Sequence, residues 1–556
     1  MFDVVLSLQV MCVLLSATTA VEVYTNSGHM RGRTYSTKNG KQYAGFHGIR
    51  YAAPPLGQYR FKDPQLPESW TGVKDTIEDG EQCLQWSLKI GSVTGSEDCL
   101  FLNLFTPQIS VQEHESKLPV MVWIHGGSWS SGAGTSNYYG PEFLMDRGVV
   151  FVSINYRLGP FGFFSTGDSA SPGNYGLKDQ VAALKWIQQN IEYFGGDSNS
   201  VTIFGQGAGG ASVHYHMLSS LSKGLFHAAI SQSGTALCPW ASSREPTLYA
   251  NKLGSLVGCS WTSAAELVQC LRKKEGRIII EADRQFLEWG DEEGTAFKPV
   301  VEMESNGAFL CEDPLETLQE RNIEISIPWI VGITSHEGGN KAEAIFKNVD
   351  LLNDITKDFG KVAPLSLHYG HSSVHAEYVT EKLKAYYFGE LPVSSVSVSA
   401  LADMYTDGLF LWNVDETVRL HSLINSEPIY YYVFSYRGTR SFCGNPEKDS
   451  LDFGACHGDE LQYIFSMDNR YRNENDSKMV DIITNLWTDF ASFGNPNAQK
   501  RFRDEWENVA SHEVEYFNIS LEPHAAFGLL HERAQFWASL PLRSQHTHSY
   551  KFRDEL

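Results

Sequence analysis

The chain is short of positive charge, has no long apolar run, and lacks a serine where one of its own motifs would place one. Its 556 residues carry 44 Lys and Arg against 66 Asp and Glu, a formal net charge of −22. Phosphate backbones and anionic lipid surfaces repel so acidic a chain, which argues against nucleic-acid binding and leaves the excess as solvated acidic faces. After the first fifteen residues no segment approaches the roughly 18 unbroken apolar residues that a membrane span needs. There is also no Pro/Ser-rich linker, charge run or internal repeat at which to divide the chain. With 42% hydrophobic and 20% charged residues, the composition suffices for one large core. One domain over 21–545 is therefore expected, followed by a polar tail over 546–556.

The two ends carry address-like patterns. Val4 to Leu15 is a mostly apolar stretch of signal-peptide length, and Thr18 and Ala20 are placed for cleavage after Ala20. The segment before it departs from the usual pattern, with Asp3 and no Lys or Arg. At the other end, Arg553-Asp554-Glu555-Leu556 is a near relative of the Lys-Asp-Glu-Leu address that a retention receptor reads in the endoplasmic reticulum. Together they predict a secretory-pathway protein retained in the lumen, with secretion as the alternative. Of nine cysteines, Cys12 falls in the leader. The others would meet an oxidising compartment, where the short loops Cys83 to Cys99 and Cys259 to Cys270 could each close a disulfide. Cys238, Cys311, Cys443 and Cys456 are harder to pair. Asn475-Asp476-Ser477 and Asn518-Ile519-Ser520 are glycosylation candidates.

Buried strands alternate with amphipathic helices through the centre, which predicts an α/β fold: a large, mostly parallel twisted sheet with helices on both faces. Pro119 to Ile124 and Val149 to Ile154 read as buried strands. Ala183, Leu184, Ile187, Ile191 and Phe194 recur at helical spacing, so a helix is expected over Lys178 to Phe194, stopped by Gly195-Gly196. A short strand from Val201 to Phe204 precedes Gly205-Gln206-Gly207-Ala208-Gly209, and a helix follows from Ala211 to Ser219. Ile327 to Ile333 and Ile429 to Phe434 are later strands. Residues 340–425 read as a largely helical cap.

Strand, tight glycine turn and helix are the context in which G-x-S-x-G presents a nucleophilic serine above the sheet. Here the five residues are G-Q-G-A-G. Alone they also fit an ordinary glycine-rich turn that binds phosphate. The neighbours choose between these. His125-Gly126-Gly127-Ser128-Trp129 follows a buried strand, and its backbone N–H groups, with that of Ala208, would stabilise an oxyanion. Glu337, in Gly332-Ile333-Thr334-Ser335-His336-Glu337-Gly338, is a candidate acid. His457, in Gly454-Ala455-Cys456-His457-Gly458-Asp459-Glu460, is a candidate base.

With these motifs the chain resembles the type-B carboxylesterases, the α/β-hydrolase family that includes cholinesterases and insect juvenile hormone esterases. The resemblance spans nearly the whole mature chain. It includes Phe46-His47-Gly48-Ile49-Arg50-Tyr51-Ala52, Pro54-Pro55-Leu56-Gly57, Arg60-Phe61, Glu97-Asp98-Cys99-Leu100-Phe101-Leu102-Asn103, Asn155-Tyr156-Arg157-Leu158-Gly159 and Leu177-Lys178-Asp179-Gln180. It implies ester hydrolysis through a Ser-Glu-His triad with Gly207 at the nucleophile position, an oxyanion hole at Gly126, Gly127 and Ala208, and the pairs Cys83–Cys99 and Cys259–Cys270. Gln206 stands where most of these esterases have Glu, and is similar to the residue before the serine in juvenile hormone esterases. The C-terminal tail is similar instead to those of microsomal carboxylesterases.

Gly207 offers no oxygen for His457 to deprotonate, so the acyl-enzyme route is closed. Glycine also relieves the backbone strain of such a turn, which costs about 1–3 kcal/mol in other residues. Three replacement nucleophiles are disfavoured: Ser233 as a pocket-lining hydroxyl, Ser212 as turned away along its helix, and Cys456 as a loop neighbour of His457 that could instead pair with Cys443. Asp98, Arg157 and Asp179 read as structural ion pairs, and Trp86 and Trp129 as core or gorge wall. His214 and His216, two apart on a helix, cannot share a face, so no metal is expected, and no cofactor. The leading expectation is a pseudoenzyme that binds a small apolar or ester-like ligand or a protein partner. The alternatives are an active ester hydrolase using water or another nucleophile, and a non-enzymatic interaction module.

Overall fold

Along Leu118–Ile124, Val120, Val122 and Ile124 enter one buried cluster, while Met121 and Trp123 enter another on the opposite face. A strand apolar on both sides belongs inside a parallel sheet covered by helices, and that is where it lies. The computed structural model describes residues 20–108, 116–243, 245–290, 296–370, 373–394, 397–444, 453–467, 473–509, 515–527 and 531–542. Most of the expected signal peptide (residues 1–19) and the tail with Arg553 to Leu556 lie outside them.

The sheet is built from β1 (Ala20–Thr25), β2 (Gly28–Ser36), β3 (Gln42–Arg50), β4 (Phe101–Thr106), β5 (Leu118–Ile124), β6 (Val150–Ile154), β7 (Gly196–Gln206), β8 (Ala228–Gln232), β9 (Trp329–Thr334), β10 (Ile429–Phe434), β11 (Tyr516–Ile519) and β12 (His524–Ala526). Their spatial order is β1-β2-β3-β4-β6-β5-β7-β8-β9-β10-β11-β12, and Val73–Asp75 adds a short strand beside β2. From β6 to β11 every neighbouring pair is parallel, and the flanking pairs are antiparallel. The registers Gly205↔Ile124 and Gln206↔Gln232 bring the C-terminal ends of β5, β7 and β8 to one edge, where open α/β sheets bind their ligands.

Four helices position that edge: α1 (Tyr175–Asn190), α2 (Ala208–Leu218), α3 (Gly339–Lys347) and α4 (Glu474–Phe493). Leu177, Val181, Leu184 and Ile187 of α1 join one core, and Met479, Ile483, Trp487 and Phe490 of α4 join the other, so both faces of the sheet are covered. The regular part of α1 stops at Asn190, four residues short of the expected end. Ile191–Phe194 tightens into a 3₁₀ turn, and Gly195 then takes φ 81°, which closes the helix. In the other direction, α2 begins at Ala208, three residues earlier than expected. β9 starts at Trp329 rather than Ile327, because Pro328 has no N–H to give a ladder. The described residues between 339 and 422 are mostly helical, with a π-helical turn at Asp407–Leu411.

Disulfides join Cys83 to Cys99, Cys259 to Cys270 and Cys443 to Cys456. The last pair removes Cys456 as a thiol. Neither Cys238, which is buried, nor Cys311, which is exposed, is in a disulfide. Loops of this length stabilise by about 3 kcal/mol each through the unfolded chain. Asp98 pairs with Arg50. Arg157, just past β6, makes a two-pronged pair with Asp179 of α1: Nε donates to Oδ2 and Nη2 to Oδ1, each at 2.7 Å. Both residues are buried. Among the described residues no helix is long and apolar enough to cross a membrane.

Candidate functional site

At the end of β7 the chain must reverse into α2 without room for side chains. A Cβ on Gly209 would overlap the Ile124 carbonyl, so only glycine lets α2 sit this close to β5. Gly207 itself takes φ 59° and ψ −121°, a conformation that strains any residue with a Cβ. Its N–H is held by the Gln232 carbonyl at 2.8 Å. The turn therefore has the strained geometry expected from the sequence, at a residue that bears the strain without penalty.

His457 faces this turn. A Cβ built on Gly207 would lie 3.1 Å from His457 Nε2 and 3.6 Å from Cε1, with no other heavy atom of the described residues within 4 Å apart from its chain neighbours. On the far side of the ring, Nδ1 donates to Glu337 Oε2 at 2.5 Å. Glu337 is buried, and its other oxygen accepts the Thr334 N–H at 2.7 Å. Glu337 follows β9, and His457 follows the Cys443–Cys456 link. That disulfide packs against Gly339 at the start of α3, and His336 pairs with the chain at Cys456 through a short bridge. The acid loop and the histidine loop are thus fastened together. Phe410, from the π-helical turn, lies on the imidazole at 4.8 Å between ring centres.

The remaining nitrogen of the ring has a partner the sequence reading did not foresee. Gln206 Nε2 lies 2.8 Å from His457 Nε2. With Nδ1–H given to Glu337, Nε2 is an acceptor, and the Gln206 amide donates to it. Burial opposes protonation of His457, and the Glu337 carboxylate, by charge and by hydrogen bond, outweighs it and raises the imidazole above its ordinary value.

Beside the turn, His125 is fully buried, stacked at 4.4 Å on Tyr156, and bonded through Nδ1 to the Gly126 carbonyl at 2.8 Å. Burial lowers its pKa to about 4, so it is a neutral support for the loop. Gly126 and Ala208 are buried and Gly127 half-buried, and among the described residues their N–H groups meet no protein acceptor.

The other candidates fall elsewhere. Ser212 donates to the Ala208 carbonyl at 2.8 Å and accepts from Trp129 Nε1 at 2.9 Å, which commits it to the helix. Ser233 is fully buried at φ 53°. His214 meets His421, and His216 meets Ser222 and Gln180, so the two point apart. Trp129 is core, and Trp86 lies under Arg284. Asn475 is exposed on the first turn of α4, and Asn518 is half-buried in β11.

Glu460, one turn beyond His457, was not singled out from sequence. It is fully buried and accepts from Gln232 Nε2 at 2.9 Å. Burial, with the neighbouring Glu337 charge, lifts its pKa from 4.5 to about 7. A carboxyl raised in this way contributes stability that is whole below pH 4.5 and is lost as pH rises through 7. Glu460→Gln keeps an acceptor for Gln232 and removes the titration. Its unfolding free energy should then fall less between pH 5 and 8 than the parent's, by about 3 kcal/mol. Denaturant titrations at the two pH values check this, and equal pH slopes would contradict it.

Across residues 19–537 the chain matches the carboxylesterase family model. The chain belongs to the carboxylesterase family. Venom carboxylesterase-6 of Apis mellifera is 35% identical over 537 residues, covering 94% of each chain. Juvenile hormone esterase of Tribolium castaneum is 38% identical over 509 residues, covering 88% of this chain and 85% of that one. Juvenile hormone esterase of Manduca sexta, solved with OTFP covalently attached, superposes with a TM-score of 0.82 at 31% identity, covering 94% of this chain and 99% of that structure. The sheet is accordingly the α/β-hydrolase fold, and Gly207, Glu337 and His457 follow the chain order that nucleophile, acid and base take in it.

Proposed function

We infer that this carboxylesterase-family chain has lost normal ester hydrolysis and keeps its site for binding a small apolar ligand. One observation carries the reading: where a serine hydroxyl would meet His457 Nε2, Gly207 has no side chain and the Gln206 amide makes that hydrogen bond instead. The hydrogen bond from His457 to Glu337, and the N–H groups of Gly126, Gly127 and Ala208 that meet no protein acceptor among the described residues, support continued binding of a ligand. Without a nucleophile, the residual catalysis over water that binding and an oxyanion hole provide is about 10³–10⁴. Purified protein should show no turnover of p-nitrophenyl or naphthyl esters beyond that level. Hydrolysis at ordinary enzymatic rates, abolished by His457→Gln, would overturn the reading.

The three disulfides fit an oxidising compartment. Cleavage after Ala20 and retention through Arg553 to Leu556 complete the proposal, with Asn475, on an exposed helix turn, as the better placed glycan acceptor. Removing the last four residues should send the protein into the medium, and continued retention would refute the address.

A further inference from the structure

Away from the candidate site, two imidazoles are buried against each other. His214 of α2 and His421 of the Trp412–Ser422 helix are both fully buried, and their Nε2 atoms lie 2.8 Å apart. The hydrogen bonds allow only one placement of the protons. His214 Nδ1 accepts the Ala236 N–H at 3.0 Å, so the His214 proton sits on Nε2 and is donated to His421 Nε2. His421 then carries its own proton on Nδ1, where no partner meets it among the described residues. A buried donor left in this way costs free energy that two apolar side chains would avoid, so packing alone does not account for the pair.

Neither ring accepts a further proton without conflict. One added to His421 Nε2 would point at the His214 Nε2–H, and one added to His214 Nδ1 would point at the Ala236 N–H. Both rings pack on the buried Trp329, at 5.2 and 5.0 Å between ring centres. Its face attracts an imidazolium, though by less than the hydration that burial removes. Among the described residues no carboxylate bonds either ring. The titratable groups of the surrounding elements are engaged elsewhere. On α2, Tyr215 bonds the Ala241 carbonyl and His216 bonds Ser222 and Gln180. On the helix of His421, Asp415 pairs with Arg419, and they and Glu416 fall off the three- and four-residue spacing that would share its face. Asp313 caps the Pro314–Gln319 helix, Arg533 holds Asp407, Cys238 accepts the Thr235 N–H, and burial keeps Tyr431 neutral.

We propose that the His214–His421 pair is an acid-sensitive joint: a proton taken from solvent by either ring breaks it, and the Trp412–Ser422 helix separates from α2. That helix continues from the π-helical turn whose Phe410 lies on His457. The joint therefore ties the helix that starts at Gly207 to the segment that covers His457. Burial lowers His421 to about 3 and holds His214 well below its ordinary value of 6.5. With both lowered, the stability that the neutral pair contributes is whole above pH 6.5 and is lost as pH falls from 6.5 toward 3. In that range each ring favours the opened form about tenfold per pH unit. At pH 5 this amounts to about 30-fold for one ring and about 10³-fold for the two.

Hydrogen exchange of the full chain, followed by mass spectrometry from pH 8 to pH 5 and corrected for the intrinsic pH dependence of exchange, tests this. The opening of residues 208–218 and 412–422 should rise about 10³-fold, with a logarithmic slope near two per pH unit below 6.5. Peptides of β5 and β8 should change less. In His421→Gln the amide oxygen accepts the His214 Nε2–H and does not titrate, so the rise should be about 30-fold and the slope near one. An unchanged melting temperature at pH 8 checks that the variant is folded, and if it is not, the parent's slope decides. A parent slope of one or less, equal slopes in parent and variant, or an opening that spreads equally over β5 and β8 would overturn the proposal.

Discussion

Gly207→Ser should hydrolyse p-nitrophenyl esters at least about 10³-fold faster than the parent chain. Loss of the serine from a working triad removes about 10⁶ in kcat, with only binding and the oxyanion hole left, so restoring it to an intact frame recovers much of that factor. Glu337 holds His457 Nδ1, and the turn at position 207 already has the backbone of a strained elbow. Two features hold the gain below the full factor. A Cβ at 207 comes within 3.1 Å of His457 Nε2, so the ring must retreat by a few tenths of an ångström, and Gln206 must release the nitrogen it now occupies. Gln206→Ala in the Gly207→Ser background should therefore raise activity further. The same substitution places a Cβ at φ 59°, and the variant should be less stable than the parent by about 1–3 kcal/mol. Ester assays and denaturant titrations of the three proteins read both effects. An inactive Gly207→Ser of normal fold would mean that the pocket itself no longer admits an ester.

The second large effect is structural. Arg157→Ala should cost about 3–5 kcal/mol, because it strands Asp179, fully buried, without its partner. Burial already pushes the Asp179 carboxyl up against the pull of Arg157. With the guanidinium gone it should become protonated, so the loss should be larger at pH 8 than at pH 5. The Arg157 Nη1 bond to the Lys62 carbonyl at 2.8 Å is lost as well, which loosens the N-terminal segment against α1. Arg50→Ala makes the control: Asp98 is about one-third exposed, and solvent screening leaves that pair about 0–1 kcal/mol. Similar losses in the two variants would refute the distinction drawn from burial.

Much of the architecture could be read from strands whose burial shows in their composition. Pro119 to Ile124 and Ile429 to Phe434 are apolar at nearly every position, and both lie inside the sheet. Helix ends were harder to read, because they depend on local geometry: α1 tightens into a 3₁₀ turn at Ile191, and α2 starts at the glycine turn itself. At the candidate site, Gly207, Glu337 and His457 could be singled out because each lies in a glycine-rich motif just past a strand or in a short loop, and the fold brings the three together. The bond from Gln206 to His457 joins residues 251 apart in sequence, and only the fold brings them together. Glu460 was missed for a similar reason. A glutamate one turn past a histidine carries no signal of burial, and only the fold sets it against Gln232 at the end of β8, whose amide oxygen in turn accepts from Trp487 Nε1.

The central claim is that no residue of this chain serves as a nucleophile in the site. The most direct measurement is intact-mass analysis after reaction with a fluorophosphonate, on the parent and on Gly207→Ser. The account predicts an unmodified parent and a variant carrying one phosphonyl group at position 207. Stoichiometric modification of the parent, mapped to a residue beside His457, would contradict it.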